Sequence, residues 1–379
     1  MDNTPHTIGI EIEGAALTRE SVAKMIKSDA GNADPSILIR EIAKDASVES
    51  RSIEITDRVN LFLGNTFLSR NLIRGGDVDT LGYEIVTKPM NRPQMKRILT
   101  TTMSILKKRG EIFSPRSSIH VHIGFPKGLI FYKTSTAMGF KVEPLLYKLA
   151  GMGTSYRGQI NRSAYAKPLC LPPAVRICPD VAGKDPELFC LDPRGAVRAA
   201  DEQTFWLKFG LSMGDTNRYT PLRYFGINLF SVLIRGTLEF RMWNFTDNVK
   251  HIVAVAELSQ LIGDLMIRLP MYAIDSISDI SMYKKNDDSE YLNLLDHIIR
   301  LGDFYESPLQ LSSESVDSLI EIIHTTPQPV FENTQVMTHL KKYTLPGFFS
   351  AYLTRVKSAA DPGIIDIHNF NEQNHTIIE

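Results

Sequence analysis

The chain has 379 residues, of which 43% are apolar and 22% charged, and its formal net charge is −1. This length and composition suit a globular protein with a sizeable core, in one large domain or two. The near-zero charge argues against a general nucleic-acid binder and against membrane-surface binding through basic residues. We find no targeting segment and no apolar run of the roughly 18 residues that a membrane helix requires. The three cysteines lack C-x-x-C spacing, which favours reduced thiols and a cytoplasmic location.

In the first part of the chain, alternating apolar and polar residues predict strands, and Gly and Pro residues mark the turns. The predicted strands cover residues 7–13, 51–56, 65–73, 81–87 and 117–125. Helical periodicity predicts helices over residues 19–27, 36–46, 88–108 and 138–151. Gly110 follows the third helix, as is typical of a helix end.

The second part of the chain is predicted to contain one more hairpin and then helices. Residues 153–221 are rich in Pro, Gly and Arg and predict irregular structure, with one helix over residues 201–209. The hairpin is predicted from strands over residues 222–233 and 235–244. A helix capped by Asp247 is predicted over residues 247–269. Further predicted helices cover residues 290–301, 315–324, 334–342 and 346–357.

Strands that are followed by covering helices, with hairpins rather than crossovers, indicate an α+β fold with a curved antiparallel sheet. We expect one catalytic domain over residues 1–270, in which residues 153–221 form an irregular insertion that shapes the substrate site. Residues 271–379 are expected to form a helical C-terminal extension that ends in a polar tail.

Four predicted strands carry charged or metal-binding side chains on alternate residues, with aliphatic residues between them. Side chains at i and i+2 point to the same face of a strand. If the strands belong to one sheet, a shared face of carboxylates, imidazoles and a guanidinium predicts a metal and phosphate site. The residues with this spacing are Glu11, Glu13, Glu84, His120, His122, Glu239 and Arg241.

The acidic and histidine motifs each have an ordinary alternative. Glu11 and Glu13 are either a solvated strand face or two carboxylates that share a hard cation such as Mg²⁺ or Mn²⁺. His120 and His122 are either packed histidines or metal ligands. The joint pattern favours the metal site, because several buried polar strand faces are hard to explain separately.

Arginines near these carboxylates favour phosphate as a ligand, because the guanidinium group matches phosphate oxygens. Arg241 forms either a surface ion pair with Glu239 or part of such a site. Arg223 and Asn228 lie on the other arm of the predicted hairpin. Two further arginines, Arg157 and Arg162, either bind phosphate as well or simply belong to an ordinary basic loop.

The order of these motifs resembles the amidoligase family, part of the glutamine synthetase and glutamate–cysteine ligase superfamily of carboxylate–amine ligases. The resemblance extends over roughly residues 7–265. The matching segments are residues 9–13 (GIEIE), 79–89 (DTLGYEIVTKP), 118–124 (SIHVHIG), 157–165 (RGQINRSAY), 223–229 (RYFGINL) and 236–241 (GTLEFR).

The resemblance implies a glutamine synthetase-like catalytic platform that binds ATP with Mg²⁺, or with Mn²⁺, over a concave sheet. The metal ligands that it implies are Glu11, Glu13, Glu84, His120 and Glu239. The implied catalytic residues are Arg223, Arg241, His122 and Asp79, and Asp77 is an alternative to Asp79 for the amine substrate. The residues implied for the nucleotide are Arg157, Arg162, Arg223, Asn228 and Arg241.

The implied reaction is ATP-dependent amide-bond formation. A substrate carboxylate attacks the γ-phosphate to give an acyl phosphate, and an amine then displaces phosphate. We expect a carboxylate substrate and an amine substrate, no membrane and no general nucleic-acid binding. The acceptor stays open between a small metabolite, a peptide, a cell-wall precursor and a modified nucleic-acid base, and so does the oligomeric state. The alternatives are a phosphotransferase of the same fold, a non-catalytic structural or partner-binding protein that keeps the platform, and a transition-metal oxygenase or hydrolase.

Overall fold

A computed structural model describes residues 7–18, 22–24, 26, 39–43, 81–108, 118–151, 166, 169, 193–209, 225–281 and 286–327. Its strands form one open sheet in the order β2–β3–β1–β4–β6–β5, in which every neighbouring pair is antiparallel. The strands are β1 (Ile8–Thr18), β2 (Ile39–Ala43), β3 (Leu81–Thr87), β4 (Ser118–Gly124), β5 (Ile227–Asn228) and β6 (Thr237–Asn244). The predicted α+β class with an antiparallel sheet is confirmed.

The structure describes nine helices that have bounds of their own. They are α1 (Arg92–Lys108), α2 (Leu129–Leu149), α3 (Pro193–Ala196), α4 (Glu202–Lys208), α5 (Phe230–Arg235), α6 (Val249–Arg268), α7 (Met271–Asp275), α8 (Asp288–Phe304) and α9 (Ser313–Thr325). Residues 22–24 and 26 are also helical. Within the described residues, no helix combines the length and the apolarity that crossing a bilayer requires.

The core lies between the apolar face of the sheet and the helices α2 and α6. Ile10 of β1 and Val121 of β4 are completely buried, and burial of such a side chain stabilises the fold by about 1.5–3 kcal/mol. α6 packs against β4 and β6. This close approach requires Gly263, because a Cβ there would lie only 1.9 Å from Cδ1 of Ile123.

The helices between residues 271 and 327 pack onto the same core. α7 and α8 contact α2, and α9 lies against α6. Arg92 of α1 donates to the carbonyl oxygen of Leu309 at 3.0 Å. Glu257 of α6 accepts the backbone N–H of Ser312, the N-cap residue of α9, at 3.0 Å. The predicted domain boundary at residue 270 stays a prediction, and the extension beyond residue 327 lies outside the described residues.

Two predicted elements are wrong. The helix predicted over residues 36–46 contains the strand β2, whose residues pair with β3 at one edge of the sheet. The strand predicted over residues 222–233 is wrong beyond β5 (Ile227–Asn228), which pairs with β6 as expected, because the helix α5 follows it. Asn228 accepts the backbone N–H of Ser231 at 3.3 Å in the first turn of α5, and Gly236, with φ of 72°, ends the helix in the left-handed conformation that favours glycine.

Most other predicted elements that fall on described residues are confirmed, with shifted ends. α2 begins at Leu129 rather than at residue 138, and α6 begins after Asn248, whose side chain accepts the backbone N–H of Lys250 at 3.1 Å. Asp247 is therefore not the N-cap residue. The strands predicted over residues 51–56 and 65–73, the helices predicted over residues 334–342 and 346–357, and most of the predicted insertion 153–221 lie outside the described residues.

Candidate functional site

The register of the sheet brings residues from five strands to one place on its polar face. In an antiparallel sheet, residues that pair across neighbouring strands have their side chains on the same face. The pairs are Glu11 with His120, Glu13 with Glu84, His122 with Glu239, and Asn228 with Glu239. The alternating spacing seen in the sequence therefore becomes one continuous cluster.

Glu11 lies at the centre of this cluster and is only 4% exposed. Its Oε2 lies 3.1 Å from Nδ1 of His120, and its Oε1 lies 3.2 Å from Nε2 of His122. The same Oε1 accepts a hydrogen bond from Nη1 of Arg235 at 2.7 Å. Burial alone would raise the pKa of the Glu11 carboxyl, but the positive charge of His122, together with the hydrogen bond and charge of His120, holds this pKa well below its usual value.

Glu239 is the second buried carboxylate of the cluster. Its Oε2 accepts from Nδ2 of Asn228 at 2.6 Å, and its Oε1 accepts from Nη1 of Arg241. Oε1 also lies 3.5 Å from Nδ1 of His120 and 3.7 Å from Nε2 of His122. Burial raises the pKa of Glu239, and the positive charges of Arg241 and His122 outweigh this effect, so that the pKa is lowered.

His122 has an unusual environment for a buried histidine. Its Nδ1 lies 3.1 Å from Oγ1 of Thr237. Its Nε2 is buried and lies 3.2 Å from Oε1 of Glu11, but it has no hydrogen-bond partner among the described residues. Burial lowers the pKa of His122, but the negative charges of Glu11 and Glu239 raise it on balance. A buried nitrogen without a hydrogen bond is costly, so the site suits a ligand at this point.

Glu11, His122 and Glu239 together could hold a metal ion. One ligand atom from each lies within 4.8 Å of the other two, and all three residues are buried. Carboxylate oxygens suit Mg²⁺ and Mn²⁺, and the imidazole nitrogen also suits transition metals. This group contains His122, whereas the family resemblance implies His120 as the histidine ligand.

The remaining members of the predicted set lie at one side of this group. Ser118 donates to Oε2 of Glu13 and lies 3.0 Å from Nε2 of His120. That nitrogen is 3.7 Å from Oε1 of Glu13. Glu84 is half-buried and opposite Glu13. Burial lowers the pKa of Arg235, but the charges of Glu11, Glu239 and Glu84 raise it on balance.

Sequence reasoning missed several residues of the site. Ser118 and Thr237 each precede a predicted site residue by two positions, so the alternating pattern itself could have found them. Arg235 belongs to a helix and gave no such signal. Asn244 was missed because of an irregularity in β6.

A bulge in β6 turns Asn244 towards the site. Ile119 pairs with Trp243 and Val121 with Phe240, so three steps along β6 match two steps along β4. Strict alternation from Glu239 would put Asn244 on the apolar face, but the extra residue returns it to the polar face, opposite Ser118. Its Nδ2 is buried and has no hydrogen-bond partner among the described residues.

Five predicted site residues lie outside the described residues. They are Asp77, Asp79, Arg157, Arg162 and Arg223. The roles predicted for them stay predictions.

Comparisons with known proteins add one distant likeness. No family model and no curated protein matches the chain. Among solved structures, the chain is similar to a bifunctional glutathione synthetase from Pasteurella multocida, with 11% sequence identity and a TM-score of 0.36 over 93% of this chain. The chain spans about half of that protein, 52% of its length. A likeness at this level carries no argument about activity.

Proposed function

We propose that this chain is an ATP-dependent carboxylate–amine ligase that forms an amide bond through an acyl phosphate, with ATP and Mg²⁺ or Mn²⁺. The observation that carries the proposal is the convergence of Glu11, His122 and Glu239 beside Arg235 and Arg241. A metal–nucleotide complex needs acidic ligands for its cation and basic groups for its phosphates. The order of motifs, which resembles the amidoligases, supports the same proposal and its glutamine synthetase-like platform.

The charge arrangement supports a binding site more than a stabilising ion pair. A buried ion pair contributes little net stability, because desolvation of both charges is costly. Here three basic side chains approach the single carboxylate of Glu11, namely His120, His122 and Arg235. Such an arrangement is hard to explain by stability alone, and it suits a site where charges are exchanged when a ligand binds.

Each described side chain has a specific role in this proposal. Glu11, His122 and Glu239 would hold the cation, and a bound Mg²⁺ would neutralise phosphate charge and polarise the transferred group. Thr237 orients the ring of His122 through Nδ1. Asn228 holds Oε2 of Glu239, which leaves Oε1 directed at the histidines. These contacts position the ligands before any substrate arrives.

Arg241 would stabilise the negative charge that develops during phosphoryl transfer. It is buried, and Glu239 keeps its guanidinium group in one position. A preorganised positive charge in a water-poor site costs little reorganisation during the reaction. The substrate carboxylate would then attack the γ-phosphate and displace ADP, and an amine would displace phosphate from the acyl phosphate with loss of a proton. The proposed roles of Arg223 at the phosphates and of Asp79 at the amine complete this mechanism.

A transition-metal oxygenase or hydrolase is the second candidate. The imidazole of His122 in the ligand group is the observation that favours it, because imidazole suits Zn and Fe better than Mg. Metal analysis of the purified protein distinguishes the two candidates. Stoichiometric zinc or iron that survives dialysis would support the second candidate, and a protein that loads Mg²⁺ or Mn²⁺ only when it is added would support the ligase.

The first test of the ligase is cation-dependent binding of ATP, measured by calorimetry with a non-hydrolysable ATP analogue. We expect binding in the presence of Mg²⁺ and at least about 100-fold weaker binding by Glu239→Gln, because one ligand charge is lost. Glu143→Gln is the matched control, since Glu143 is a completely buried glutamate outside the cluster that accepts the backbone N–H of Leu169 at 2.7 Å. Lack of ATP binding by the unmodified protein would contradict the proposal.

The second test separates a ligase from a phosphotransferase of the same fold. The protein is incubated with Mg·ATP, hydroxylamine and a panel of amino acids, dicarboxylates and peptides. A ligase gives a hydroxamate by trapping the acyl phosphate, and this product is absent with Glu239→Gln. ATP consumption with a phosphorylated product but no hydroxamate would instead identify the phosphotransferase.

A further inference from the structure

Arg235 differs from Arg241, the other arginine of the cluster, in how far its side chain is exposed to solvent. It is the last residue of the short helix α5, and its side chain is 55% exposed, whereas that of Arg241 is 9% exposed. Arg235 nevertheless reaches back to the centre of the cluster, where Nη1 donates to Oε1 of Glu11 at 2.7 Å. The guanidinium group thus bridges the surface and the buried carboxylates.

The oxygen that Arg235 contacts belongs to the candidate metal group. Oε1 of Glu11 is the oxygen that lies 3.2 Å from Nε2 of His122. The other oxygen of Glu11 is directed at His120. Arg235 therefore occupies the side of Glu11 on which a cation shared with His122 would bind.

A divalent cation would compete with the guanidinium group of Arg235 for Oε1 of Glu11. Arg235, whose side chain is 55% exposed, can move out to water, whereas the 9% exposed Arg241 stays at Glu239. The cation and the guanidinium group of Arg235 are both positive, and their repulsion at short distance is large where water is excluded. Cation binding at Glu11 would therefore release Arg235. The released side chain is long, keeps its charge and carries a planar set of donors that fits phosphate and carboxylate oxygens.

The backbone at both ends of α5 connects this arginine to the cluster. At the start of α5, Asn228 contacts both Ser231 and Glu239. After the end of α5, Gly236 has a positive φ, and Thr237 of the next strand contacts His122. Arg235 is thus held within reach of the site whichever group it contacts.

We propose that Arg235 is a further ligand-binding residue that exchanges partners. It pairs with Glu11 when no cation is bound, and with the anionic group of the ligand once a divalent cation has taken its place. This inference rests on the proposed function, since it assumes the metal site of Glu11, His122 and Glu239. It adds a residue that the motif pattern did not indicate, and it predicts two effects of opposite sign.

The test uses calorimetry with Mn²⁺ alone and then with pyrophosphate in the presence of saturating Mn²⁺. Arg235→Gln should bind Mn²⁺ about tenfold more tightly, because the cation no longer competes with the guanidinium, and should bind pyrophosphate about tenfold or more weakly. Arg235→Lys should stay closer to the original Mn²⁺ affinity, because it keeps the charge, while it loses the fork that grips pyrophosphate.

Arg268→Gln is the matched control. Arg268 is also the last residue of a helix and donates to the carboxylate of Asp264 at 2.6 Å, but it lies on α6 outside the cluster. This variant should change neither affinity.

The possible results separate the two proposals. If Arg235→Gln binds Mn²⁺ with equal or lower affinity than the unmodified protein, partner exchange is overturned and the metal site stands. If no form of the protein binds Mn²⁺, the metal site itself is overturned, and the inference with it. Tighter Mn²⁺ binding with unchanged pyrophosphate binding overturns the ligand-binding role.

Discussion

Two buried ionic clusters in this molecule have opposite characters. The helix cluster consists of Lys148 of α2, Asp288 of α8 and Thr326 after α9. Lys148 is only 2% exposed, yet its Nζ donates to the carbonyl oxygen of Thr326 at 2.6 Å and lies 3.0 Å from Oδ1 of Asp288. The ring of Tyr291 lies 5.5 Å below the same ammonium group. The buried ammonium group of Lys148 therefore has both a hydrogen-bond acceptor and an ion-pair partner in the helix cluster.

The sheet cluster, made of Glu11, His120, His122, Glu239 and Arg241, is not matched in this way. Several bases share single carboxylate oxygens, and Nε2 of His122 has no hydrogen bond among the described residues. Burial of charge therefore does not by itself indicate function. A cluster in which several bases share one carboxylate oxygen, and in which a buried nitrogen lacks a hydrogen bond, indicates a ligand site. A cluster in which the charged group has its own acceptors indicates a structural contact between helices.

The largest expected effect is on the helix cluster. Lys148→Met removes the charge that joins α2 to α8 and to the end of α9, and should lower the free energy of unfolding by about 3 kcal/mol, because the buried carbonyl oxygen of Thr326 loses its charged hydrogen-bond donor and is left unsatisfied. Urea denaturation measures this loss. ATP-analogue binding should be unchanged, since the contacts of Lys148 within the described part of the chain run to α8 and to the end of α9, away from the sheet cluster.

Lys141→Met is the matched control on the same helix. Lys141 pairs with Asp279 at 2.9 Å, but Asp279 is 83% exposed. A pair with one fully solvated partner contributes about 0–1 kcal/mol. Equal losses for the two lysine variants would contradict the structural importance of the helix cluster.

The second effect is the stabilisation of the folded protein by Mn²⁺ bound at the sheet cluster. A ligand that binds only the folded state stabilises it, and Mn²⁺ at about 100 times its Kd should add about 2.7 kcal/mol to the free energy of unfolding. Lys148→Met should keep this gain although it starts from lower stability, and Glu239→Gln should lose it. Denaturation curves with and without Mn²⁺ give the difference, and an undiminished gain in Glu239→Gln would show that the cation binds elsewhere.

The smallest effect is the pH dependence of the helix cluster. Burial raises the pKa of Asp288, but Lys148 and His324 outweigh it and lower this pKa. The stabilisation by Asp288 is therefore complete above its unfolded pKa of about 3.9 and is lost as the pH falls through its lower folded value. Because Asp288 is about one-third exposed, the contribution should be about 0.2–1 kcal/mol.

The measurement for this third prediction compares the unmodified protein with Asp288→Asn in urea between pH 7 and pH 2. Their difference in free energy of unfolding should be constant near neutral pH and should disappear in acid. A difference that persists unchanged to pH 2 would show that the side chain acts through its shape rather than its charge.

The local alternation of apolar and polar residues predicted much of this fold. The predictions failed for β2 and α5, which depend on residues outside the element itself. β1, β3, β4 and β6 were predictable because each alternates apolar and polar residues. β2 was mistaken for a helix, because a short edge strand is stabilised by pairing with β3 rather than by its own periodicity. α5 was mistaken for a strand, because its helical hydrogen bonds depend on the side chain of Asn228 and on Gly236.

The candidate site likewise contains residues that local spacing could identify and residues that depend on distant contacts. Glu11, His122 and Glu239 could be named from spacing, but the choice between His120 and His122 in the metal group could not, because both lie on the same face. Asn244 depended on the bulge in β6, which no local pattern announces. Arg235 depended on a contact with a residue 224 positions away in the chain.

The sequence alone defines which side chains share a face within each strand, because the two-residue repeat is a property of the extended backbone. It therefore determined the composition of the polar face and the α+β class. Only the tertiary structure decided which strands are neighbours, in what register they pair, and which end of a helix reaches Glu11. These depend on contacts between distant residues, whose energies arise only when the whole core is packed.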